Sequence, residues 1–530
     1  MNIQRAKQEI VNTVRAYLAR DARGDYAIPA VRQRPILLMG PPGIGKTQIM
    51  EQAARECGIA LVAYTITHHT RQSAVGLPFI RQRTYGGRTF SVTEYTMSEI
   101  IASVYEKMEA TGLSEGILFI DEINCVSETL APTMLQFLQG KTFGNQAVPA
   151  GWVIVAAGNP PEYNKSVRDF DVVTLDRVKR MDIEPDYPAF RVYARAAGLH
   201  PAILSYLELH PDHFYRVQAD VDGTQFVTAR GWEDLSNLLA AYDALGLSAD
   251  EAVVGEYLQH RDIAEDFAAY LDLYRKYEDD YGVEEILAGQ AKPAVFARLL
   301  RAPFDERLAL VSLLLAGLER RFGAAARAAA LADGAYAALR DYRARLDAAP
   351  AVLYPDGPAA VGAVIDPAGA GADAAPALAA FAALCEADKA DLAQKQAANL
   401  LDRTALADRR ALVDTLAGWL HLLQSEAPAD SAAALSRLKA AFRPLADARA
   451  DAEDAAGAAL EHAFDFLEQA FPAGQEMVVF VTELTLSPTA QKFLTENGCE
   501  RYFAYNKSLL LDSRKAALQA ELAKEEARNG

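Results

Sequence analysis

Residues Gly40-Pro41-Pro42-Gly43-Ile44-Gly45-Lys46-Thr47 read G-x-x-x-x-G-K-T and follow directly on the apolar run Ile36-Leu-Leu-Met39. Glycine takes backbone angles that a Cβ would forbid. Successive N–H groups can therefore turn inward around a polyphosphate, at the positive end of a helix starting near Lys46. Lys46 adds a point charge against β- and γ-phosphates, and the Thr47 hydroxyl is placed to hold Mg²⁺. The apolar strand before the loop and the helical pattern from Thr47 to Cys57 supply the context that this chemistry requires.

Further polar groups follow at the ends of apolar runs. Ile117-Leu-Phe-Ile120 leads into Asp121-Glu122, two adjacent acids at the carboxyl end of a buried strand. There Asp121 would fix the water shell of Mg²⁺, and Glu122 would orient or deprotonate an attacking water. Val153-Ile-Val-Ala-Ala-Gly-Asn159 places an amide at another strand end, where it can contact that water or the γ-phosphate. Leu175-Asp-Arg177-Val-Lys-Arg180 puts basic residues at a helix end, and Thr228-Ala-Arg230-Gly-Trp232 opens a further helix. Arginine carries a planar, permanent charge suited to a transferring phosphoryl group.

The elements that must position these groups alternate. Strands are expected at Ile36–Met39, Ala60–Thr65, Gly116–Ile120 and Trp152–Ala157, with helices between them. This is the rhythm of an α/β fold, a parallel sheet flanked by helices. Two segments interrupt it: Pro78 to Tyr95, where Gly86-Gly87 between strand-like runs signals a hairpin, and the turn-rich stretch 140–151. The resulting organisation is a nucleotide-binding core at 1–185 and a small helical lid at 186–248. A helical region at 249–346, an Ala/Gly/Pro linker at 347–377 and a helical C-terminal region at 378–530 complete it. A charged helix is expected to close the chain, ending in Lys524-Glu-Glu-Ala-Arg-Asn-Gly530.

Composition narrows the functional classes. Among 530 residues, 53 Lys and Arg stand against 71 Asp and Glu, a formal charge of −18. So acidic a chain argues against nucleic acid, whose phosphates call for clustered basic residues. Arg81, Arg83 and Arg88 on the hairpin are the candidates for a local basic exception. Cys57, Cys125, Cys385 and Cys499 form no C-x-x-C pair and read as reduced thiols filling apolar space. The N-terminal residues lead into an amphipathic helix rather than a signal-peptide core. The longest apolar run, Leu308 to Leu318, falls short of the ~18 residues of a membrane span. A cytoplasmic protein without a membrane span is expected. His68-His69 lacks a third ligand at useful spacing, and His210-Pro-Asp-His213 reads as a solvated turn. Tyr85 at the hairpin tip either grips a substrate chain or packs on a neighbour.

Phosphate loop, Asp-Glu strand, strand-end Asn, Leu-Asp-Arg and Thr-x-Arg before a helical lid together resemble the AAA+ ATPases. Within them, the run Ile66-Thr-His-His-Thr-Arg-Gln-Ser-Ala-Val-Gly-Leu-Pro-Phe79, Asn159-Pro160 and Leu175-Asp-Arg177 are similar to the MoxR branch. The resemblance covers about residues 1–245. It implies ATP hydrolysis to ADP and phosphate with Mg²⁺, Asn159 as sensor 1 and Arg230 as sensor 2. It also implies a hexameric ring in which Arg177 is the finger lent to a neighbouring subunit. The hairpin at Gly86-Gly87 and the 140–151 segment would be insertions facing the central pore. Val178 stands where the branch usually has Phe, and Arg180 close by is the alternative finger.

The function this resemblance implies is a ring-forming chaperone or remodeller that reshapes protein complexes with a partner carrying a von Willebrand factor A (VWA) domain. Two rival readings stay open: a nucleic-acid-translocating motor, and a scaffold that uses ATP only to assemble.

Overall fold

The computed structural model describes residues 1–68, 71–143, 146–163, 170–220, 223–348, 375–472 and 474–509. The chain divides into two compact units. The first holds Met1–Ala189 with Thr228–Gly231 and Ala390–Ala407; the second holds Phe190–Val227, Trp232–Lys389 and Asp408–Gly530.

The first unit begins with α1 (Ile3–Leu18), β1 (Ile36–Met39), α2 (Lys46–Cys57), β2 (Ala60–Thr65) and α3 (Arg71–Val75). A hairpin of β3 (Pro78–Tyr85) and β4 (Arg88–Tyr95) follows, then α4 (Glu99–Thr111), β5 (Gly116–Asp121) and α5 (Ala131–Gly140). The two-residue strands β6 (Thr142–Phe143) and β7 (Gln146–Ala147) precede β8 (Trp152–Gly158), α6 (Val172–Leu175) and β9 (Lys179–Asp182). Five strands form one parallel sheet in the order β2-β5-β8-β1-β9.

Every residue of β1 and β8 is buried, as are Gly116 to Ile120 of β5. Side chains alternate faces along a strand. Leu37, Leu118, Ile120, Ile154 and Ala156 share a core with Ile101 and Val104 of α4 and with Met134 and Phe137 of α5. Their alternates Ile36, Leu38, Ile117, Phe119 and Val155 are just as buried, as expected of strands covered on both faces. Burying each such side chain contributes about 1.5–3 kcal/mol. Leu118→Ala would therefore cost about 2–5 kcal/mol and leave a hole behind the strand that ends in Asp121.

All four expected strands form. The hairpin at Gly86-Gly87 forms as well, with both glycines at positive φ (57° and 80°). One strand escaped the sequence reading: Lys179-Arg-Met-Asp182, read there as part of a helix end, is the edge strand β9 beside β1. The helix α6 stops at Leu175, so Arg177 follows a helix end while Arg180 lies on a strand. Ala390–Ala407 is anchored to this unit by Lys107, whose Nζ donates to the Ala397 carbonyl at 2.8 Å.

The second unit is mostly helical. Its elements are α7 (Tyr187–Ala196, entering at Phe190), α8 (Pro201–Leu209), β10 (Arg216–Asp220), β11 (Gly223–Val227) and α9 (Ala229–Leu245, from Trp232). Next come α10 (Glu251–Tyr257), α11 (Arg261–Tyr281), α12 (Val283–Leu287), α13 (Pro293–Leu299) and α14 (Phe304–Ala348). Then follow α15 (Ala375–Ala397, as far as Lys389), α16 (Arg403–Glu426, from Asp408), α17 (Ser431–Ala470), α18 (Gln475–Leu486) and α19 (Pro488–Asn497). The β10–β11 hairpin interrupts the stretch 186–248, which read as helical throughout.

Tyr206, Trp232 and Phe267 join α8, α9 and α11 through ring contacts of 5.2–5.8 Å between centroids. Buried Glu483 of α18 pairs with Arg191 and Arg195 of α7. Such a pair costs desolvation that the two guanidinium partners offset, so removing either arginine would destabilise the contact strongly. Of the expected linker at 347–377, residues 349–374 lie outside the described residues, as does the charged tail from 510 onward. The linker's ends are helical, closing α14 and opening α15. No helix among the described residues is long and apolar enough to cross a membrane.

Candidate nucleotide site

The register of the sheet gathers the site. Met39 pairs with Gly158 and Ile120 with Ala156, so β1, β5 and β8 finish side by side. Gly40 and Asn159 follow β1 and β8, and Asp121 is the last residue of β5. The carboxyl ends of parallel strands are where ligands bind in open α/β sheets.

Gly43 and Gly45 hold positive φ (72° and 91°), which turns the loop into the start of α2. A Cβ on Gly43 would stand 2.7 Å from Cβ and Oγ1 of Thr228, so the chain before α9 fits against the loop because a side chain is missing. Arg230 strengthens that fit, its backbone N–H donating to the Gly43 carbonyl at 3.1 Å. A Cβ on Gly40 would come 2.8 Å from the Ile183 carbonyl. Pro41, Pro42 and Ile44 complete the loop, with Ile44 turned into the interior.

Lys46 is 8 % exposed. Its ammonium donates to the carbonyls of Gly40 and Pro41 at 2.8 Å each and to Oδ1 of Asn159 at 2.9 Å. Burial lowers its pKa to about 8; Asp121 and Glu122 work against that shift, and Arg230 adds to it. A cation so far removed from water gains from an anion, and the amide-lined loop beside it is an anion cradle.

The Thr47 hydroxyl donates to Oδ2 of Asp121 at 3.0 Å. This hydroxyl–carboxylate pair is a hard oxygen set of the kind Mg²⁺ takes next to phosphates. The residues present thus fit a nucleoside triphosphate with Mg²⁺: a glycine cradle, a buried ammonium, and two oxygen donors side by side.

Glu122 carries φ 57°, the left-handed region that costs a residue with a Cβ roughly 1–2 kcal/mol. Its N–H donates to Oδ1 of Asp121 at 2.9 Å, and Ile123 N–H donates to Ala157 O at 2.8 Å. These bonds hold a turn at Glu122 directly after β5. Backbone strain of this kind collects where position matters for function.

Three further residues bear on these groups, of which the sequence reading named only Thr228, as part of its Thr-x-Arg motif. Asn124, 3 % exposed, bonds the backbone of Asn159 from both sides. Thr228 backs Gly43, as above. Gln139 of α5 accepts a hydrogen bond from Nη1 of Arg177 through its side-chain oxygen. Asn124 lies three residues beyond Asp121, and that proximity was the one signal available for it.

Arg177 is exposed and, among the described residues, makes no hydrogen bond to the phosphate loop, Asp121, Glu122 or Asn159 of its own chain. Arg180, also exposed, is paired with Asp182 at 2.8 Å. The two candidate fingers therefore differ: Arg177 leans on a neutral amide, Arg180 on a carboxylate. Val178 between them is buried in the core beside the sheet.

The hairpin β3–β4 is exposed along most of its length, with Ile80 and Tyr85 facing solvent. Arg81 and Arg83 share the single carboxylate of Glu94, at 3.4 and 2.6 Å, which offsets one of the three arginine charges on the hairpin. His69 lies outside the described residues. The reading of His210-Pro-Asp-His213 as a solvated turn is corrected: both rings are partly buried and stack against each other beside Tyr206.

Residues 36–175 match the model of the ATPase family associated with various cellular activities (AAA). No curated protein is significantly similar to the chain. Among solved structures, a FIGL-1 AAA domain in complex with ADP is 16% identical with a TM-score of 0.27, covering 52% of this chain and 86% of that one. A structure described as the structural basis for katanin self-assembly is 18% identical with a TM-score of 0.28, covering 51% of this chain and 82% of that one. The chain therefore carries an AAA-family domain at 36–175.

Proposed function

We propose that the chain is an ATP-hydrolysing, ring-forming remodeller of the MoxR type, acting on protein complexes with a VWA-domain partner. The observation that carries the hydrolytic part is the meeting of Lys46, Thr47, Asp121 and Asn159 within hydrogen-bond distance at the ends of three parallel strands. When bound, Mg²⁺ would neutralise charge on the β- and γ-phosphates.

The chain's own residues do the rest. The loop from Gly40 to Gly45 binds the phosphates through its N–H groups, and Lys46 gives up carbonyl partners for phosphate oxygens. Thr47 and Asp121 hold the metal with its waters. Glu122 accepts the proton of the attacking water, and Asn159, already tied to Lys46, orients that water. Arg230, placed at the start of α9 beside Gly43, senses the triphosphate.

The last charge comes from another copy. Arg177 points into solvent on a neutral partner, and a guanidinium donated across a subunit seam stabilises transferring phosphoryl charge by about 10³–10⁵ in rate. A homo-oligomer, in the MoxR branch a hexamer, follows from that division of labour. The MoxR and VWA assignments rest on the run Ile66–Phe79 and on Leu175-Asp-Arg177. The solvent-facing Tyr85 and Ile80 suit a grip on protein, and the acidic balance of the chain disfavours a nucleic-acid pore. The helical regions 249–346 and 378–530 would supply partner or substrate choice.

Phosphate release by Glu122→Gln tests the proposal. Loss of turnover with retained ATP binding supports it; turnover at the parental rate removes Glu122 from the role of base.

A further inference from the structure

We propose that His210, His213 and Asp266 form a site for one divalent transition-metal ion of the zinc type, joining the end of α8 to α11. One ligand atom from each of the three lies within 4.8 Å of the others.

His210 caps α8, and His213 ends the short turn Pro211–His213 that follows. The spacing His-x-x-His brings their rings into a stack, 5.1 Å apart and inclined by 12°. Asp266 reaches them from the next helical layer. Nδ1 of His213 is 4.0 Å from Oδ2 of Asp266, and the Tyr206 hydroxyl sits 2.7 Å from each. The single phenol proton goes to Asp266, so Nδ1–H of His213 donates to the phenol oxygen, and an ion bound at Nδ1 would take the place of that proton. On the far side of the ring, Asp212 lies 3.8 Å from Nε2. At that distance Asp212 makes no hydrogen bond to the ring and adds only negative charge beside it.

A hydrogen-bonded network alone accounts for His213 and Asp266 through Tyr206, but not for His210. Its ring is partly buried, stacks on that of His213 and offers a ligand atom to the cluster. Two imidazole nitrogens and one carboxylate oxygen suit Zn²⁺, Co²⁺ or Ni²⁺ better than Mg²⁺ or Ca²⁺. Metal–ligand bonds of about 2.0–2.2 Å put tetrahedral neighbours about 3.4 Å apart. Rotation of the half-exposed Asp266 side chain (52 % exposed) and of the His210 ring closes that gap, while Tyr206 or water completes the set. All these residues belong to one unit, so the ion would pin helices within it.

The test uses the full chain, stripped with chelator and freed of nucleotide, titrated with Co²⁺ and then displaced with Zn²⁺. The wild type should take up one ion with a Co²⁺ absorption signature. His210→Ala and Asp266→Asn should each weaken binding at least about tenfold, and the pair about a hundredfold. Asp266→Asn keeps an acceptor for Tyr206 and so preserves the surrounding contacts. His421→Ala, on the exposed side of α16, should leave binding unchanged. As a second readout, Zn²⁺ should raise the unfolding temperature of the wild type but not of the double variant. Absence of stoichiometric uptake by the wild type overturns the proposal, and so does uptake undiminished in the double variant.

Discussion

Asn124 clasps Asn159 from both sides: its Nδ2 donates to the Asn159 carbonyl at 2.8 Å, and its Oδ1 accepts from the Asn159 N–H at 3.2 Å. Gly158 must lack a side chain for this, since a Cβ there would meet Oδ1 of Asn124 at 2.5 Å. Asn159 in turn accepts from Lys46 at 2.9 Å, so a residue outside the pocket sets the position of one within it.

Replacing Asn124 by Ala leaves a part-buried N–H and carbonyl of Asn159 without these bonds, at a cost of about 1 kcal/mol or more. Asn124→Ala should lower the turnover number about ten- to a hundredfold with little change in ATP affinity, because Lys46 and the loop remain in place. Single-turnover kinetics alongside equilibrium binding separate the two. A variant that loses affinity and keeps its turnover number would assign Asn124 to the cradle instead.

Glu122 sits at φ 57°, so its backbone and its side chain make separable contributions. Glu122→Ala and Glu122→Gly both remove the carboxylate proposed as the base and should both abolish hydrolysis. The glycine variant should nonetheless be about 1 kcal/mol more stable than the alanine variant, because only alanine keeps a Cβ in the left-handed region. Denaturant midpoints of the two compare this directly; equal midpoints would mean the turn carries no strain.

A pH-dependent stability is expected from Lys141, at the end of α5, whose ammonium donates to the Ala30 carbonyl at 2.7 Å. Burial lowers its pKa from 10.5 to about 8. Between those values the unfolded chain keeps a proton that the folded chain releases, so stability rises with pH across the window. Below about 8 both states hold the proton and the penalty is constant. The stability of the wild type relative to Lys141→Met should therefore climb through the window and be flat beneath it. Urea unfolding of both proteins at pH values below, within and above the window checks the sign.

Much of the first unit was legible because its strands are unbroken apolar runs closed by residues with one dominant use. Ile36–Met39 before the glycine loop and Ile117–Ile120 before two acids admit few other structures. Gly86-Gly87 announced its hairpin through the φ it supplies. β9 was not legible, since Lys179-Arg-Met-Asp182 buries only Met181 and shows neither a run nor a clear alternation. The support from Thr228 and Asn124 depends on contacts between segments that meet only after folding. The same holds for Asp266, which turns a His-x-x-His spacing into a cluster of three. Pairing of Arg81 and Arg83 with Glu94 across the hairpin likewise emerged from register, not from composition.

Mixing two inactive variants measures the central claim most directly. Lys46→Ala spoils its own pocket but keeps Arg177; Arg177→Ala keeps its pocket but lacks the exposed guanidinium. Each alone should hydrolyse ATP at least about a thousandfold more slowly than the parent. Mixed and allowed to exchange subunits, they should regain a substantial fraction of parental turnover, and that fraction should fall on dilution. Parental turnover by Arg177→Ala alone, or a mixture no more active than its parts despite verified subunit exchange, would contradict a site completed by a neighbouring copy.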